Sequence, residues 1–500
     1  MQRDIFISVE PQEKRVAIVE GGQLEEFYAE RTNAQRIVGN IYKGKVQSIT
    51  SGIGASFIHI GLPKSGFLYV SDVVGTSAEL EENVELVSRR KRKHEHRRIE
   101  DVIKKDQEIM VQVTKEPFGT KGARLTTKIS LPGRYLVLMP TDNRVGISKK
   151  IESRQERDRL RQILDSLNIP DDIGVIVRTA GVERTKRDFV RDLNFLMRLW
   201  KRIKISFGHA KAPALLHQEH DIVFRVLRDL FTENVNKLMV DSRRDYKEML
   251  HYTAQLMPHL KRRIIFYSAM EPLFDNKHIT EKIEKVYERN VALKSGGYLI
   301  VEQTESLVAI DVNSGKYVGK KDKNVEDTLF AVNVEAAKEV ARQIRLRDLG
   351  GIIVIDFIDM ISSEHRKKIF NILEEEVKKD KAKTNILKIS ELGLIQMTRQ
   401  RSRKPFESIV YQVCPYCQGK GATKSVQTMA ILVTRKARAF LSSNRSAKKI
   451  EISVHPDVAS RLFNEDRFYI DGLQRHYRAA INIKPEFTLH IENVKIEKIA

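Results

Sequence analysis

The stretch that most limits what this chain can fold into runs from Ser306 to Met360. Two apolar runs, Leu307-Val308-Ala309-Ile310 and Ile352-Ile353-Val354-Ile355, each stop at an aspartate, Asp311 and Asp356. Short β-branched runs of this kind predict strands buried on both faces. Between them Leu329, Val332, Ala336, Val340 and Ile344 recur at three- and four-residue steps. That period predicts a helix over 325–349, stopped by Gly350-Gly351. Strand, helix, strand at this length is a βαβ unit with parallel neighbouring strands. Both aspartates then leave the sheet at its carboxyl edge, where open α/β sheets place their chemistry. With the amide of Asn313 they form an oxygen-rich pocket suited to Mg²⁺ or Mn²⁺. Strand-ending aspartates also serve as turn formers and helix caps, and the spacing alone leaves both readings open.

A chain of 500 residues has room for about three or four domains of ~100–200 residues each. Lys and Arg number 88 against 66 Asp and Glu, a net charge of +22, which points to a polyanionic partner. No apolar run approaches the ~20 residues of a membrane span. The opening MQRDIFISVEPQEK has no apolar signal-peptide core. A soluble, cytoplasmic protein is expected. Two cysteines exclude a disulfide framework and fit a reducing compartment.

In chain order, residues 1–37 read as strands IFISV, KRVAIV and LEEFYAE, with a Gly21-Gly22 hairpin turn. They need a later partner to complete a domain. Residues 38–120 carry short alternating strands with glycine turns, the pattern of a small closed barrel of OB type. Phe57 and Phe67, near Lys43, Lys45 and Lys64, read either as core or as platforms on which bases stack. The run SRRKRKHEHRR at 88–98 reads as a solvated loop or a phosphate-holding insertion. Residues 121–215 form a third unit of strands around one helix, followed by a long helix over 186–205 that holds Trp200. Residues 216–287 alternate helix and strand and supply the half missing from 1–37. They predict one α/β domain interrupted by two inserted units. Residues 288–409 hold the βαβ region and the basic run MTRQRSRKP. Residues 422–500 predict a small α/β domain with strands IEISV, INIKP and LHIENVKI.

Cys414-Pro-Tyr-Cys417, followed by Gly419 and Gly421, is half of a zinc ribbon. Structural zinc takes four ligands, commonly from two such knuckles. Three outcomes stay open: a metal shared between two chains, a site completed by histidines, or a metal-free CxxC.

Taken together, SLVAIDVNSGK, RQIRLRDLGGIIVIDFIDM, RQR and CPYCQGKG stand in the order and spacing of the bacterial ribonuclease E/G family, which this chain resembles over nearly its whole length. The resemblance implies an α/β multidomain endoribonuclease. Its expected parts are an RNase H-like scaffold (1–37 and 216–287), an OB-fold RNA clamp (38–120), a 5′-sensor domain (121–215) and a DNase I-like catalytic domain (288–409). A zinc link (410–421) and a small dimerisation domain (422–500) follow. Such enzymes cut single-stranded A/U-rich RNA and leave a 5′-phosphate and a 3′-hydroxyl. The family's metal-holding aspartates correspond to Asp311 and Asp356, with Asn313 in support. Phe57, Phe67 and Lys121 match the RNA clamp. Gly133, Val137, Arg178 and Thr179 match the pocket for a terminal monophosphate, and a guanidinium and a hydroxyl do suit a phosphate. Cys414 and Cys417 match the zinc link, shared with a second protomer in a homodimer, with further pairing to a tetramer left open. The implied substrates are rRNA precursors, tRNA and mRNA. The chain resembles the shorter, ribonuclease G-like type, without the long disordered tail of the E-type enzymes. The basic run at 88–98 looks longer than the family needs.

The mechanism expected is metal-assisted phosphodiester hydrolysis by water; independently of the resemblance, Arg399 or Arg401 is read as the group that neutralises the phosphate. No Ser-His or Cys-His arrangement offers a protein nucleophile. A non-catalytic RNA-binding or ribosome-assembly factor fits the barrel and the charge equally well. Only the paired aspartates with Asn313 separate the two, because a pure binder has no need of a negative pocket beside RNA. A DNA nuclease is a third reading.

Overall fold

The computed structural model describes residues 3–32, 36–73, 84–88, 98–117, 121–304, 307–315, 325–380, 382–390, 393–400 and 410–499. The basic run at 89–97 and Arg401, Arg403 and Lys404 lie outside the described residues. The chain divides into two compact units, Met1–Phe406 and Glu407–Ala500.

The first unit opens with an antiparallel meander, β1 (Arg3–Val9), β2 (Glu13–Glu20) and β3 (Gln23–Arg31). Gly21 and Gly22 turn between β2 and β3 at φ of 55° and 80°, a region that side chains with a Cβ rarely adopt. The chain then leaves this sheet. Strands β4 (Ile41–Thr50), β5 (Ala55–His59) and β6 (Gly66–Tyr69) follow, then β7 (Val84–Ser88), β8 (Glu108–Lys115) and β9 (Arg124–Thr126). The order β4-β5-β6-β9-β8, closed by pairing of β8 with β4, makes the barrel. Its last strand, β9, lies beyond residue 120, where the sequence pattern ends the barrel. Strand β7, inside the segment read as barrel, pairs instead with the inserted region that follows, residues 121–215.

That second inserted region contains β10 (Leu131–Pro132), β11 (Leu136–Met139), β12 (Val145–Ser148), helix α1 (Arg154–Asp165), β13 (Gly174–Val177) and the long helix α2 (Lys186–His209). Its sheet runs β10-β11-β13-β12-β7. Phe189, Leu193, Leu196, Trp200 and Ile203 of α2 pack on this core, one helical face at three- and four-residue steps. Strand β14 (Ala214–His217) returns to pair with β4. Helix α3 (Ile222–Asp229), β15 (Val235–Val240), α4 (Arg243–Leu256), β16 (Ile264–Phe266) and α5 (Ile279–Val286) then complete the interrupted domain. Strand β15 lies parallel to β1, with Ile5 opposite Leu238, giving the sheet β16-β15-β1-β2-β3.

The next sheet comprises β17 (Asn290–Ala292), β18 (Tyr298–Gln303), β19 (Leu307–Asn313), β20 (Gly351–Asp356), β21 (Thr384–Ile386) and β22 (Leu394–Arg399). Its order is β17-β18-β19-β20-β22-β21, and β19 and β20 are its parallel pair, as the βαβ pattern predicts. Helices α6 (Val325–Leu346) and α7 (Ser363–Lys378) join the strands. Val308, Ile310, Ile353 and Ile355 meet Val332, Ala336, Val340 and Ile344 in the core. The strands are not buried on both faces, as their unbroken apolar sequence predicts. Leu307 and Ile352 lie on the opposite face, 37% and 53% exposed. The alternation is present but masked, because residues on the open face are apolar too. Helix α6 also stops earlier than predicted. Asp348 takes a left-handed φ of 50°, and the Leu349 N–H reaches back to the Ile344 carbonyl at 3.0 Å.

The second unit holds α8 (Val426–Ser443), β23 (Lys449–Val454), α9 (Pro456–Phe463), α10 (Arg467–Tyr477), β24 (Ala480–Pro485) and β25 (Lys495–Lys498). The sheet order is β24-β23-β25. The last strand is shorter than the LHIENVKI run suggests.

Candidate active site

In the pairing of β19 with β20, Asp311 stands opposite Asp356, one step after Ile310 opposite Ile355. The two isoleucines turn into the core and the two aspartates turn to the open face. Paired residues on neighbouring strands share a face, so the carboxylates are direct neighbours. The Asn313 amide Nδ2 donates to Asp311 Oδ2 at 2.8 Å, which orients that carboxylate. The Asp356 carboxyl is pushed above its ordinary value by partial burial first, then by the charges of Asp311 and Asp359. Two carboxylates facing each other across neighbouring strands suit a divalent cation. Mg²⁺ is commonly held by one or two carboxylates, its remaining positions going to water and phosphate oxygens. Among the described residues no group of three or more acidic, His or Cys side chains is arranged to hold a metal.

The loop after Asp356 is pinned from α6. The fully buried Asn333 donates to the Ile358 carbonyl at 2.8 Å and accepts the Ile358 N–H at 3.1 Å. Glu326 accepts the Ser362 N–H at 2.8 Å. Arg399 does not serve this site. It pairs with Gly351 at the far end of β20, whereas Asp356 pairs with Leu394. Five residues of strand separate the two ends by about 17 Å. The Arg399 guanidinium is 5% exposed and bonds Asp380 and Asp348, each at 2.7 Å. It is a buried structural cation.

On the barrel, Phe57 of β5 is the register partner of Phe67 of β6. Ile58 and Leu68 point inward and are fully buried, so both phenylalanines point outward. Tyr69, which the sequence reading missed, extends this face. Its ring meets Phe67 edge-on at 5.4 Å, and the Arg124 guanidinium lies over it at 5.4 Å. The signal was available, since Tyr69 follows Phe67 at strand spacing. Lys121 is exposed, and the segment after it runs beside β6, with the Phe67 N–H bonded to the Ala123 carbonyl. Lys43 is not part of this surface. It is buried and caps the C-terminal end of α2 through the Phe207 and Ala210 carbonyls at 3.1 and 2.9 Å.

In the second inserted region, Arg178 Nη1 donates to the Gly133 carbonyl at 2.5 Å. Thr179 follows it, exposed, at the start of a 3₁₀ turn. Gly133 is required where it stands, since a Cβ there would fall 2.7 Å from both carboxylate oxygens of Asp192. Val137 lies on β11, and its side chain packs against the small cluster of Val84, Met139 and Ile176. The structure thus joins Gly133, Arg178 and Thr179, while the Val137 side chain serves packing.

In the second unit, Cys414 is exposed, Cys417 is partly so, and both are free thiols. Backbone N–H groups of Gly421 and Gly419, then the Cys414 side chain, hold the Cys417 thiol below its ordinary value. A stabilised thiolate is the form that binds metal. The Tyr416 ring lies tilted against His490, with centroids 4.1 Å apart, and the Tyr416 carbonyl accepts from His490 Nε2 at 2.7 Å, so the knuckle is docked on the small domain.

Comparison with known proteins fits these elements. The model of the ribonuclease E/G family matches residues 130–402, that of the S1 RNA binding domain residues 36–128, and that of the "RNase E/G, Thioredoxin-like domain" residues 413–499. The S1 match ends where β9 closes the barrel. Ribonuclease G of Salmonella typhimurium (strain SL1344) is 40% identical over 437 residues, 87% of either chain. Ribonuclease G of Escherichia coli (strain K12) is 39% identical over the same share. Ribonuclease E of Haemophilus influenzae is 34% identical over all of this chain but only 52% of its own length. The chain belongs to the ribonuclease E/G family of endoribonucleases, as a member of its shorter, ribonuclease G-like type.

Proposed function

We propose that the chain is a metal-dependent endoribonuclease that cuts single-stranded, A/U-rich RNA internally, leaves a 5′-phosphate and a 3′-hydroxyl, and works faster when the substrate carries a 5′-monophosphate. The observation that carries this reading is the register of Asp311 against Asp356 on an open sheet face, with Asn313 fixing the first carboxylate. A pure RNA-binding protein gains nothing from a negative pair beside its ligand.

Asp311 and Asp356 would hold Mg²⁺, which when bound lowers the pKa of water and polarises the scissile phosphate. Asn313 keeps Asp311 turned toward the site, and the clamp of Asn333 on Ile358 keeps the loop after Asp356 in place. Phe57, Phe67 and Tyr69 offer faces on which bases stack, with Lys121 and Arg124 alongside. Arg178 and Thr179, beside Gly133, receive the terminal phosphate. Cys414 and Cys417 share a zinc ion with their counterparts in a second protomer, making a homodimer. The family's architecture casts the interrupted sheet as an RNase H-like scaffold and the β17–β22 sheet as a DNase I-like catalytic domain. The corresponding role is rRNA and tRNA processing and mRNA decay in the cytoplasm. No helix among the described residues is long and apolar enough to cross a membrane.

The test is product chemistry. A uniformly labelled single-stranded RNA should yield internal fragments with 5′-phosphate and 3′-hydroxyl ends when Mg²⁺ is supplied, and none when it is chelated. Fragments ending in 2′,3′-cyclic phosphate, formed equally in chelator, would sink the proposal.

A further inference from the structure

The sensor arginine is held by a residue from another part of the chain. Arg178 Nη1 donates to the Gly133 carbonyl and also meets Asp229 Oδ1 at 2.7 Å. Asp229 is the last residue of α3, in the interrupted domain, 51 positions along the sequence from Arg178. The Nη2 and Nε hydrogens of Arg178 have no protein acceptor among the described residues. One corner of the guanidinium is thus fixed, and its other edge is left available.

Asp229 is itself held rigidly. Arg228 grips it through Nε and Nη2, both at 3.1 Å. Arg228 is buried and is anchored by Glu219 at 2.9 Å and the Pro132 carbonyl at 3.3 Å. The buried Arg134 caps this end of α3 by donating to the Arg228 and Phe231 carbonyls. Asp192, fully buried, accepts the N–H groups of Arg134, Tyr135 and Leu136 at 3.1, 2.7 and 2.9 Å. The loop offering the Gly133 carbonyl and the helix offering Asp229 are therefore locked to each other. Burial pushes the Asp229 carboxyl up, and the guanidiniums of Arg178 and Arg228 more than reverse this, so it stays ionised.

Helix stability does not explain an acid here. A carboxylate on the last helical residue faces the negative end of the macrodipole. Its position makes sense through the arginines it binds. A free Arg side chain carries substantial rotamer entropy, and fixing it in advance lowers the cost of ordering it when a ligand arrives.

We propose that Asp229 is a positioning residue for 5′-end recognition: with the Gly133 carbonyl it fixes Arg178 so that its open edge meets a terminal phosphate, without touching that phosphate itself. This inference rests on the 5′-monophosphate reading of Arg178 and Thr179.

The test compares kcat and KM of the full chain on one single-stranded RNA made with either a 5′-monophosphate or a 5′-hydroxyl. Wild type is set beside Asp229→Ala and Asp229→Asn, and the folding of each is checked by thermal melting. Arg228 keeps Glu219 in both variants. In Asp229→Ala the monophosphate-to-hydroxyl ratio of kcat/KM should fall by about tenfold, the size of one charge-assisted hydrogen bond. The loss should lie in KM for the monophosphate RNA. Asp229→Asn keeps an acceptor of the same shape and should lose a smaller factor, roughly threefold. Wild-type discrimination that persists unchanged in both variants overturns the inference alone. A ratio that rises, as release of a competing anion would give, overturns it too. Equal rates of wild type on the two RNAs would remove the sensor reading itself, and this inference with it.

Discussion

Asp311 and Asp356 are register partners on neighbouring parallel strands, and both turn to the open face of the sheet. Like charges this close are unfavourable in the absence of a cation. The pair therefore exists at a cost that a purely structural site would not carry. Asp356→Asn should lower the cleavage rate by about 10²–10³-fold, the usual loss for a group that organises transition-state charge. It should not lower the melting temperature in chelator, because it relieves repulsion. A clear drop in stability with activity retained would make the pair structural.

The raised Asp356 carboxyl gives a pH prediction. Without metal this group binds a proton more readily in the folded than in the unfolded chain. Stability then falls as pH rises between the ordinary carboxylate value and the raised one, where the native state holds more protons. A bound divalent cation favours the ionised form and reverses the trend. Mg²⁺ should thus raise the melting temperature above this window, and the increment should vanish as pH falls through it. Melting curves with and without Mg²⁺ across the carboxylate range check this. An increment independent of pH would place the ion elsewhere.

Arg399 carries a prediction of stability rather than chemistry. It is the shared partner of Asp348 and Asp380, whose side chains are 11% and 7% exposed. Arg399→Met would leave both carboxylates buried and unpaired, at a cost of about 3–5 kcal/mol. Chemical denaturation measures that loss directly. Wild-type stability with a strongly reduced rate would return Arg399 to the catalytic role that its sequence neighbourhood suggests.

The aromatic face of the barrel should matter for binding and little for folding. Phe57 and Tyr69 are 36% and 37% exposed. Alanine at either should weaken single-stranded RNA binding by about 1–3 kcal/mol, read by fluorescence anisotropy, with an unchanged melting curve. Lys43→Ala should do the opposite, because Lys43 holds the end of α2 from inside the protein.

Cys414→Ser should remove half of each chain's contribution to the proposed shared zinc site. The expected outcome is loss of bound zinc by elemental analysis and a halved mass in sedimentation. Chelation of wild type should reproduce both. A zinc-free protein that stays dimeric would break the link between the knuckle and assembly.

Much of the fold was legible because local patterns agreed with it. The βαβ unit followed from two short apolar runs and one helical period. The interrupted domain followed from strands that lacked partners until residue 235. The open face of β19 and β20 was not legible, because Leu307, Ile352 and Val354 are as apolar as the buried residues between them. The place of Arg399 was hidden for a related reason. Adjacency in sequence to Arg401 says nothing about which end of an antiparallel strand faces the site. Lys43 looked like a surface cation because nothing local marks its acceptors, carbonyls 164 and 167 positions away. Asp229 could not be found from sequence, since its meaning comes from an arginine on a different element.

The most direct measurement is the Mg²⁺ dependence of internal cleavage of one 5′-monophosphate A/U-rich RNA by wild type, Asp311→Asn and Asp356→Asn, with RNA binding measured alongside. The account predicts saturable Mg²⁺ activation in wild type, loss of cutting in both variants, and RNA affinity kept within about twofold, because the barrel supplies the stacking energy. Wild-type cleavage that is indifferent to Mg²⁺, or a variant that cuts at the wild-type rate, would contradict the claim that this pair of aspartates is the catalytic centre.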